Sequence, residues 1–541
     1  MIHRVYMRDW FFNAGIIGFL QVISDGKDIE NITGIDIGEN YIEFEEDILN
    51  NFYEIFTKLS FLKMFKKEAY VAGRLNKVIK ELNEKKKIDI AKKITNIEKS
   101  PYLNFQKLLG RDLSSCQNMD ELRISIQDAV EFINGKTSTA IYNDLKQQDT
   151  ENKSIDAFLK ARLKGVCAYE NISKYIEAIQ KKDIKSKIKV NDICPSCQAN
   201  RKSFDFSNAV SNILGFNTDN SNWIWAFKDS NSKICPVCAL IYTCAFLSFA
   251  FVLKQGQKKG AYLNCFYFLN QNNNVKGLFD SAKRFDLEIS NLNDQSPFFI
   301  MIKETVHHIN QTKIKNIREN ISFVEIIDNP ILAGQGTKGY NVYSYNIDNN
   351  IAEFLHPYLN GNTMPKGFYK IKDAYFNVDE QLLKSTITRQ IDYNLLHTFL
   401  SLWLQGQKNK NNEQKKGNIV AKYQPSFIIN YVLDYVNQCV RRDTMDNNKG
   451  IVKKAFRNGI ELKQKLLAKN KENQIDGIIY QLLNDLKIAD REKFIDKYMR
   501  LVMSHGLPSM FGEAEMLDKD AFLQFGYSFI NGIMSTPKEK D

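Results

Sequence analysis

The sequence predicts an α+β protein: a mixed N-terminal domain that carries an insertion closed by a four-cysteine zinc site, followed by a C-terminal α-helical bundle. Strand-like runs lie before residue 379, helical periodicity dominates after it, and two C-P-x-C pairs stand in mid-chain. A length of 541 residues accommodates two to four domains. The predicted divisions are 1–190 for the N-terminal part, 191–240 for the zinc insertion, 241–378 for the remainder of that domain, and 379–541 for the bundle.

The N-terminal domain begins with an apolar helix over residues 8–24. Its small residues Ala14, Gly15 and Gly18 lie on about one face. Such residues let another backbone, or a nucleic acid, approach closely, and close packing is the commoner of these two explanations. We therefore expect this helix to pack tightly.

Hydrophobic periodicity predicts the other elements of the N-terminal domain. Residues 35–44 predict a β-hairpin, and residues 48–99 and 120–185 predict helices. Residues 239–253 are uncharged and apolar but too few to span a bilayer, so they predict a buried helix. Strand-like runs follow at 261–269, 322–327 and 341–347.

A glycine-rich connection at 334–340 contains Lys338 and precedes the last strand-like run. No Gly-Lys-Ser/Thr follows at the spacing of a phosphate-binding P-loop. Two interpretations stay open: a hairpin turn, and a loop whose backbone N–H groups contact a phosphate or a base edge.

The C-terminal region has the pattern of successive amphipathic helices, each with one apolar face, which is typical of a helical bundle. A stretch rich in Lys, Asn and Gln, residues 405–417, interrupts them and predicts a flexible loop. The predicted helices cover 382–403, 427–440, 451–467, 474–486, 493–503 and 520–533.

Positive charge is concentrated in this region. The chain carries a net charge of +11, and residues 401–500 contain 20 Lys and Arg against 11 Asp and Glu. Such a concentration is typical of a surface that binds a polyanion, and a solvated lysine-rich surface is the alternative. The candidate nucleic-acid contacts are Lys338, Lys408, Lys410, Lys415, Lys416, Arg441, Arg442, Lys453, Lys454 and Arg457.

The two C-P-x-C pairs have the most specific chemistry in the sequence. Cys194 and Cys197 form the first pair, and Cys235 and Cys238 form the second. Four thiolates in two close pairs are the ligand set of a tetrahedral zinc site, whose closed coordination indicates a structural role. An iron–sulfur cluster is disfavoured because the usual runs of cysteines are absent, and redox C-x-x-C pairs occur singly. We therefore expect one structural zinc ion per chain.

Motifs for catalysis are lacking in the sequence: there is no H-E-x-x-H, no G-x-S-x-G and no phosphate loop. A non-enzymatic role is therefore the preferred interpretation. The reduced cysteines and the absence of a signal-peptide pattern predict a cytoplasmic protein without a membrane partner.

Two motifs together resemble a known family. Asp9–Phe19, with the sequence DWFFNAGIIGF, is similar to the opening motif of that family, and the C-P-x-C pairs are similar to its C-x-x-C/C-x-x-C signature. The family is the large subunit of the type I-B CRISPR surveillance complex (Cascade), in the Tneap/Cst-like subgroup. The resemblance implies that the four paired cysteines hold zinc, that no residue is catalytic, and that the C-terminal bundle is equivalent to a small subunit.

The resemblance also implies the partners of the protein in a prokaryotic cytoplasm. It would lie at the 5′ end of the crRNA, bind target double-stranded DNA, and contact the backbone, crRNA-processing and small subunits of Cascade. There it would help to recognise the protospacer-adjacent motif, stabilise the displaced strand of the R-loop and recruit a separate helicase–nuclease.

Two other functions stay open on the sequence. One is a zinc-stabilised nuclease or nucleic-acid-modifying enzyme whose site has no recognised motif. The other is a zinc-containing scaffold that binds only protein, with its lysines as a solvated surface.

Overall fold

The computed structural model describes the chain in two compact units. The first unit comprises Met1–Gly256, Gly260–Asn291 and Glu319–Tyr345, and the second comprises Gln257–Lys259, Leu292–Arg318 and Asn346–Asp541. The described residues are 2–66, 70–71, 75–84, 89–99, 113–148, 153–180, 193–198, 203–205, 212–214, 233–255, 262–270, 274–290, 297–311, 322–329, 339–361, 363–372, 374–410, 419–440, 449–509 and 518–535.

The first unit combines helices with small β-sheets. Its described helices are α1 (Trp10–Ile23), α2 (Phe52–Met64), α3 (Asn76–Glu84), α4 (Ile90–Lys99), α5 (Met119–Asn134), α6 (Ser138–Gln148), α7 (Lys153–Leu163), α8 (Ile172–Gln180), α9 (Pro236–Ser248) and α10 (Val275–Ser290).

The strands of this unit pair antiparallel wherever their register is defined. The N-terminal sheet has the order β1-β3-β2, a two-stranded ladder joins β4 to β5, and a four-stranded sheet has the order β6-β7-β8-β9. Their bounds are β1 (Ile2–Tyr6), β2 (Ile35–Ile37), β3 (Tyr41–Glu45), β4 (Phe204–Asp205), β5 (Lys233–Ile234), β6 (Ala250–Gln255), β7 (Tyr262–Asn270), β8 (Ser322–Asn329) and β9 (Gly339–Asn346).

Helix α1 is buried over most of its circumference. It begins at a capping residue, Asp9, whose Oδ1 accepts hydrogen bonds from the backbone N–H groups of Phe11 and Phe12 at 3.0 Å each. Apolar residues surround the helix instead of forming one stripe, so it is covered by protein on nearly every side. We infer that α1 is a central element of the core of the first unit.

The partner that approaches α1 most closely is α9. A Cβ atom at Gly15 would overlap the carbonyl oxygen of Ile241, and one at Gly18 would overlap that of Cys244. The backbones of the two helices are therefore in direct contact, which only a residue without a side chain permits. The predicted close packing of the small residues is confirmed, with protein and not nucleic acid as the neighbour.

The second unit is mainly helical and contains one three-stranded sheet with the order β11-β10-β12. Its strands are β10 (Gly367–Ile371), β11 (Ala374–Asn377) and β12 (Ile419–Tyr423). Its described helices are α11 (Pro297–Gln311), α12 (Asn349–Asn360), α13 (Val378–Ile387), α14 (Tyr393–Lys410), α15 (Pro425–Tyr435), α16 (Lys449–Ala468), α17 (Ile475–Lys487), α18 (Arg491–Ser504) and α19 (Lys519–Met534).

Helices α16 and α19 repeat the glycine contact of α1 and α9. Gly459 of α16 faces Gly532 of α19, and a Cβ atom on either would overlap a carbonyl oxygen of the other helix. Beside this contact, buried Asn458 donates hydrogen bonds to Tyr498 Oη at 3.0 Å and to the carbonyl oxygen of Pro508 at 2.9 Å. These bonds satisfy a polar group that burial would otherwise make costly.

The first unit follows the sequence prediction in most elements. The hairpin at 35–44 is present as β2 and β3, and helices and strands lie in the expected order. The predicted helix at 239–253 is wrong in its second part, because α9 ends at Ser248 and Ala250–Gln255 is strand β6. Periodicity cannot separate a buried strand from a buried helix in a short apolar run.

The C-terminal region departs from a purely helical pattern. The second unit includes Leu292–Arg318 as well as Asn346–Asp541, so α11, α12, β10 and β11 belong with the later helices. Strand β12 lies within the region predicted as helical, and the predicted loop at 405–417 is helical up to Lys410. Among the described helices, none has the length and hydropathy needed to cross a bilayer.

Substitution of Gly18 by Ala is expected to destabilise the first unit by about 1–3 kcal/mol, because the added methyl group forces α1 and α9 apart. Urea-induced unfolding followed by circular dichroism measures this change. Gly477→Ala is the matched control, since a Cβ atom there meets nothing within 4 Å and alanine favours helix. Equal effects of the two substitutions would contradict the direct contact.

Candidate metal centre

Two short segments bring the four paired cysteines together. Cys194 and Cys197 lie in a turn in which the N–H of Gln198 donates to the carbonyl oxygen of Cys194 at 2.7 Å. Cys235 caps the N-terminus of α9, and Cys238 lies in its first turn. Strand β5 ends directly before Cys235 and pairs with β4, so the ladder fixes the approach of the chain to the second pair.

The sulfur atoms have the spacing of a tetrahedral metal site. All four Sγ atoms lie within 4.8 Å of one another, and the distance from Cys197 Sγ to Cys235 Sγ is 3.8 Å. Sulfurs bound to zinc at the usual bond length are about 3.8 Å apart in an ideal tetrahedron. The donor set is therefore compatible with a structural metal ion. Elsewhere in the described residues no other group of three or more such ligands meets the same distance criterion.

Backbone N–H groups point at two of the sulfurs. The N–H of Cys235 donates to Cys194 Sγ, and the N–H of Cys238 donates to Cys235 Sγ, both at 3.3 Å. The second bond is also the N-terminal cap of α9. A helix N-terminus stabilises negative charge, so these donors favour thiolates over thiols.

The cluster is electrostatically unfavourable unless a cation compensates it. Hydrogen bonding to Cys194 and Cys197, and then burial, raise the pKa of Cys235 and of Cys238 above that of an ordinary thiol. Three of the four cysteines are almost completely buried, and Cys197 is partly exposed. A divalent cation at the centre would bind all four as thiolates and remove this cost.

Arg8, directly before α1, contacts both cysteine pairs. Its Nη1 donates to the carbonyl oxygen of Ser196 and, at 2.8 Å, to Ser196 Oγ inside the first pair. Its Nη2 lies 3.9 Å from Cys238 Sγ in the second pair. The guanidinium also stacks on Phe12, with Cζ 3.8 Å from the ring centroid. A positive charge beside four sulfurs partly offsets the net charge of −2 that four thiolates and a divalent ion carry together.

Asn13 holds Arg8 in this place. The buried Asn13 side chain accepts from the N–H of Arg8 at 2.6 Å and donates to the carbonyl oxygen of Arg8 at 3.2 Å. Its amide also donates to Asn270 Oδ1 at the end of β7, at 3.1 Å. The metal centre, α1 and the four-stranded sheet are thus joined by one chain of polar contacts.

The predicted nucleic-acid contacts are only partly described. Lys453, Lys454 and Arg457 lie on exposed positions of α16. The backbone of Lys408 and Lys410 is helical, within α14. The remaining predicted contacts fall outside the described residues: Lys338, Lys415, Lys416, Arg441 and Arg442.

Sequence reasoning did not find Arg8 and Ser196. Both adjoin predicted motifs, Arg8 before the run that starts at Asp9 and Ser196 between two cysteines. An arginine directly before a conspicuous motif is a weak signal, because its partner lies 188 residues away in the chain.

Comparison with models of protein families, with curated proteins and with solved structures found no match for the chain.

Replacement of one paired cysteine is expected to abolish metal binding. Cys194→Ser changes one soft ligand of a buried set, so the metal content of the purified chain should fall from near one equivalent to near zero. Elemental analysis by mass spectrometry measures it. Cys116→Ser, which lies outside the cluster, should keep the wild-type content. Metal retained in full by Cys194→Ser would refute the site.

Loss of the Arg8 guanidinium is expected to weaken metal binding without removing a ligand. Arg8→Gln should lower metal affinity about tenfold to a hundredfold, because Ser196 and Cys238 lose a charged partner. Competition with a chromogenic chelator measures the affinity. Arg4→Gln is the matched control, since Arg4 pairs with Glu43 on the neighbouring sheet. An unchanged affinity in Arg8→Gln would show that the arginine only supports packing.

Proposed function

We propose that the chain is a zinc-containing, non-catalytic, nucleic-acid-binding large subunit of a crRNA-guided type I-B CRISPR surveillance complex. One observation carries the proposal: the two motifs that resemble this family form one structure. The run from Asp9 to Phe19 is the cap and most of the body of α1, which contacts the backbone of α9 at Gly15 and Gly18. Helix α9 in turn begins at the second cysteine pair.

Hydrogen bonds connect the two motifs in the folded chain. Arg8 and Ser196 lie 188 residues apart, yet Arg8 contacts the first pair, and Asn13 of the motif orients Arg8. Two motifs that occurred in one chain by chance would not be expected to share a hydrogen-bonded network. A single structural requirement that joins them supports the reading of both as one family signature.

Zinc is the proposed ion. Four cysteine thiolates in a tetrahedral arrangement favour zinc over hard cations such as magnesium or calcium, which prefer oxygen ligands. The four ligands fill the coordination sphere and leave no position for water or substrate. The ion would thus stabilise the fold around the ends of α1 and α9 and take no part in a reaction.

The C-terminal helices are the proposed nucleic-acid surface and the equivalent of a small subunit. On α16, Lys453 and Arg457 are four residues apart, exposed, and without an ion pair among the residues that the structure describes. Such side chains neutralise phosphates without reading sequence.

Other basic residues of α16 are occupied within the protein. Lys463 Nζ donates to the carbonyl oxygen of Ser535, and Lys465 Nζ donates to that of His505, each at 2.7 Å. Burial lowers the pKa of Lys463. Free carbonyl groups at a helix C-terminus are stabilised by lysine side chains. Lys463 does this at the end of α19 and Lys465 at the end of α18, so neither is available to a phosphate.

In the proposed complex the guide RNA reads the target by base pairing, while protein recognises a short adjacent motif and holds the strands. The chain would lie at the 5′ end of the crRNA in a prokaryotic cytoplasm. It would bind target duplex DNA beside the protospacer-adjacent motif, stabilise the displaced strand and recruit a helicase–nuclease.

Purification of the tagged full-length chain from the cells that encode it tests the proposal. We expect co-purified RNAs of uniform length that share one 5′ sequence and differ in their central part, as sequencing of the RNA reveals. Cells without the tag control for RNA that binds the resin.

Recovery of no RNA, or of heterogeneous cellular RNA, would refute membership in a crRNA-guided complex. Cleavage of labelled DNA or RNA by the pure chain with a divalent metal would refute the non-catalytic role.

A further inference from the structure

The small sheet of the second unit has one face covered by helix α14. Tyr369 and Tyr423 both lie edge-on against Phe399 of α14, with ring centroids 5.9 and 6.0 Å away. Tyr423 Oη also donates to the carbonyl oxygen of Phe399 at 2.6 Å. Ala421, between them on the same face, is buried. The sheet is therefore anchored on this side.

The opposite face of the sheet, called here the open face, carries Phe368, Tyr375, Val420 and Lys422, because side chains alternate along a strand. Tyr375 is 50% exposed and Val420 37% exposed. The rings of Phe368 and Tyr375 are stacked, with centroids 4.6 Å apart and planes 26° from parallel. Because Phe368 is half-buried and Tyr375 is exposed, the Tyr375 ring leaves surface available to a planar ligand.

One lysine lies near this ring pair and two more flank strand β10, while burial and then the negative charge of Asp379 raise the pKa of Tyr375. Lys422 Nζ lies 5.7 Å from the centroid of Phe368, beside the stack. Lys366 and Lys372 are exposed at the two ends of β10. Within the described residues, none of these three lysines forms an ion pair. The charge is therefore available to an anionic ligand.

We propose that the open face binds single-stranded nucleic acid, with a base stacked on Tyr375 and phosphates contacted by Lys422 and the neighbouring lysines. A ligand for this face must offer planar aromatic groups and regular negative charge, and unpaired nucleotides offer both. Aromatic side chains on a sheet bind unstacked bases in this manner, and every base has a face that can stack.

Duplex DNA cannot make the same stacking contact. Its bases are stacked on one another inside the helix and present only their edges, so Tyr375 has no ring face to contact. Lysines contribute affinity through phosphate without discrimination of sequence. The open face should therefore select single strands and be indifferent to their sequence. This site requires no guide RNA, and its test is independent of the proposed function.

Fluorescence anisotropy with labelled oligothymidylate and oligouridylate of about twelve nucleotides, a usual length for such sites, measures the binding by the full-length chain. Tyr375→Ala should weaken binding at least about fivefold, the lower limit for loss of one stacked base. Tyr375→Phe should bind as the wild type does, because phenylalanine keeps the ring. Duplex binding should be the same in all three proteins.

Tyr343→Ala is the matched control. Tyr343 is 44% exposed and stacks with Tyr345, but it lies on β9, which contains no lysine. Lys422→Gln should reduce the slope of log affinity against log salt by about 0.7, the value for one phosphate contact to a single strand. Lys174→Gln, at an exposed position of α8, should leave the slope unchanged.

Photo-crosslinking gives a second measurement on the unmodified protein. An oligonucleotide with 5-iodouridine or its deoxy analogue, irradiated at long wavelength, should attach to Phe368 or Tyr375, as peptide mass spectrometry locates. If Tyr375→Ala weakens binding of one oligonucleotide more than of the other, the more strongly affected one is the strand that the open face prefers. The inference is wrong if the wild-type chain binds neither oligonucleotide, if Tyr375→Ala binds as the wild type does, or if crosslinks lie only outside the sheet.

Discussion

The direct backbone contact between α1 and α9 is the constraint on which the rest of the first unit depends. Gly15 and Gly18 allow this approach, and no larger residue fits at either place. The two helices also meet near their N-termini, through side chains. At one end the second cysteine pair begins α9, and Arg8 reaches it from the residue before the α1 cap. The metal centre is therefore built on the junction of two helices and is not an independent module.

The four-cysteine cluster could be predicted because its signal is local: two residues at fixed spacing, repeated once. The apolar character of α1 was predictable for the same reason. Arg8 was not, since its role arises only when the chain folds and residues 188 positions apart meet. The boundary between α9 and β6 was also missed. Ala239–Leu253 is uniformly apolar, and what ends the helix at Ser248 is pairing of the following residues with β7.

The three-stranded sheet of the second unit shows a different limit. Its strands have four or five residues and stand among longer helical segments, and β12 lies far along the chain from β10. A short strand is recognised by its partner, which periodicity does not reveal. The charged residues counted toward a basic helical surface also have unequal roles once folded: Lys453 is exposed, whereas Lys463 stabilises a helix end. Net charge alone does not distinguish them.

The same helix contact has a consequence for folding during synthesis, because its two partners are far apart in the sequence. Helix α1 leaves the ribosome before α9, with only Asn13 and Gln21 as polar residues between Trp10 and Ile23. Its partner α9 is complete only when Ser248 has been added. At common rates of translation that interval is on the order of 10–45 s. During this time Phe19 of α1 can already pack on Phe44 and Phe52, as it does in the finished fold, but the face at Gly15 and Gly18 has no native partner until α9 emerges.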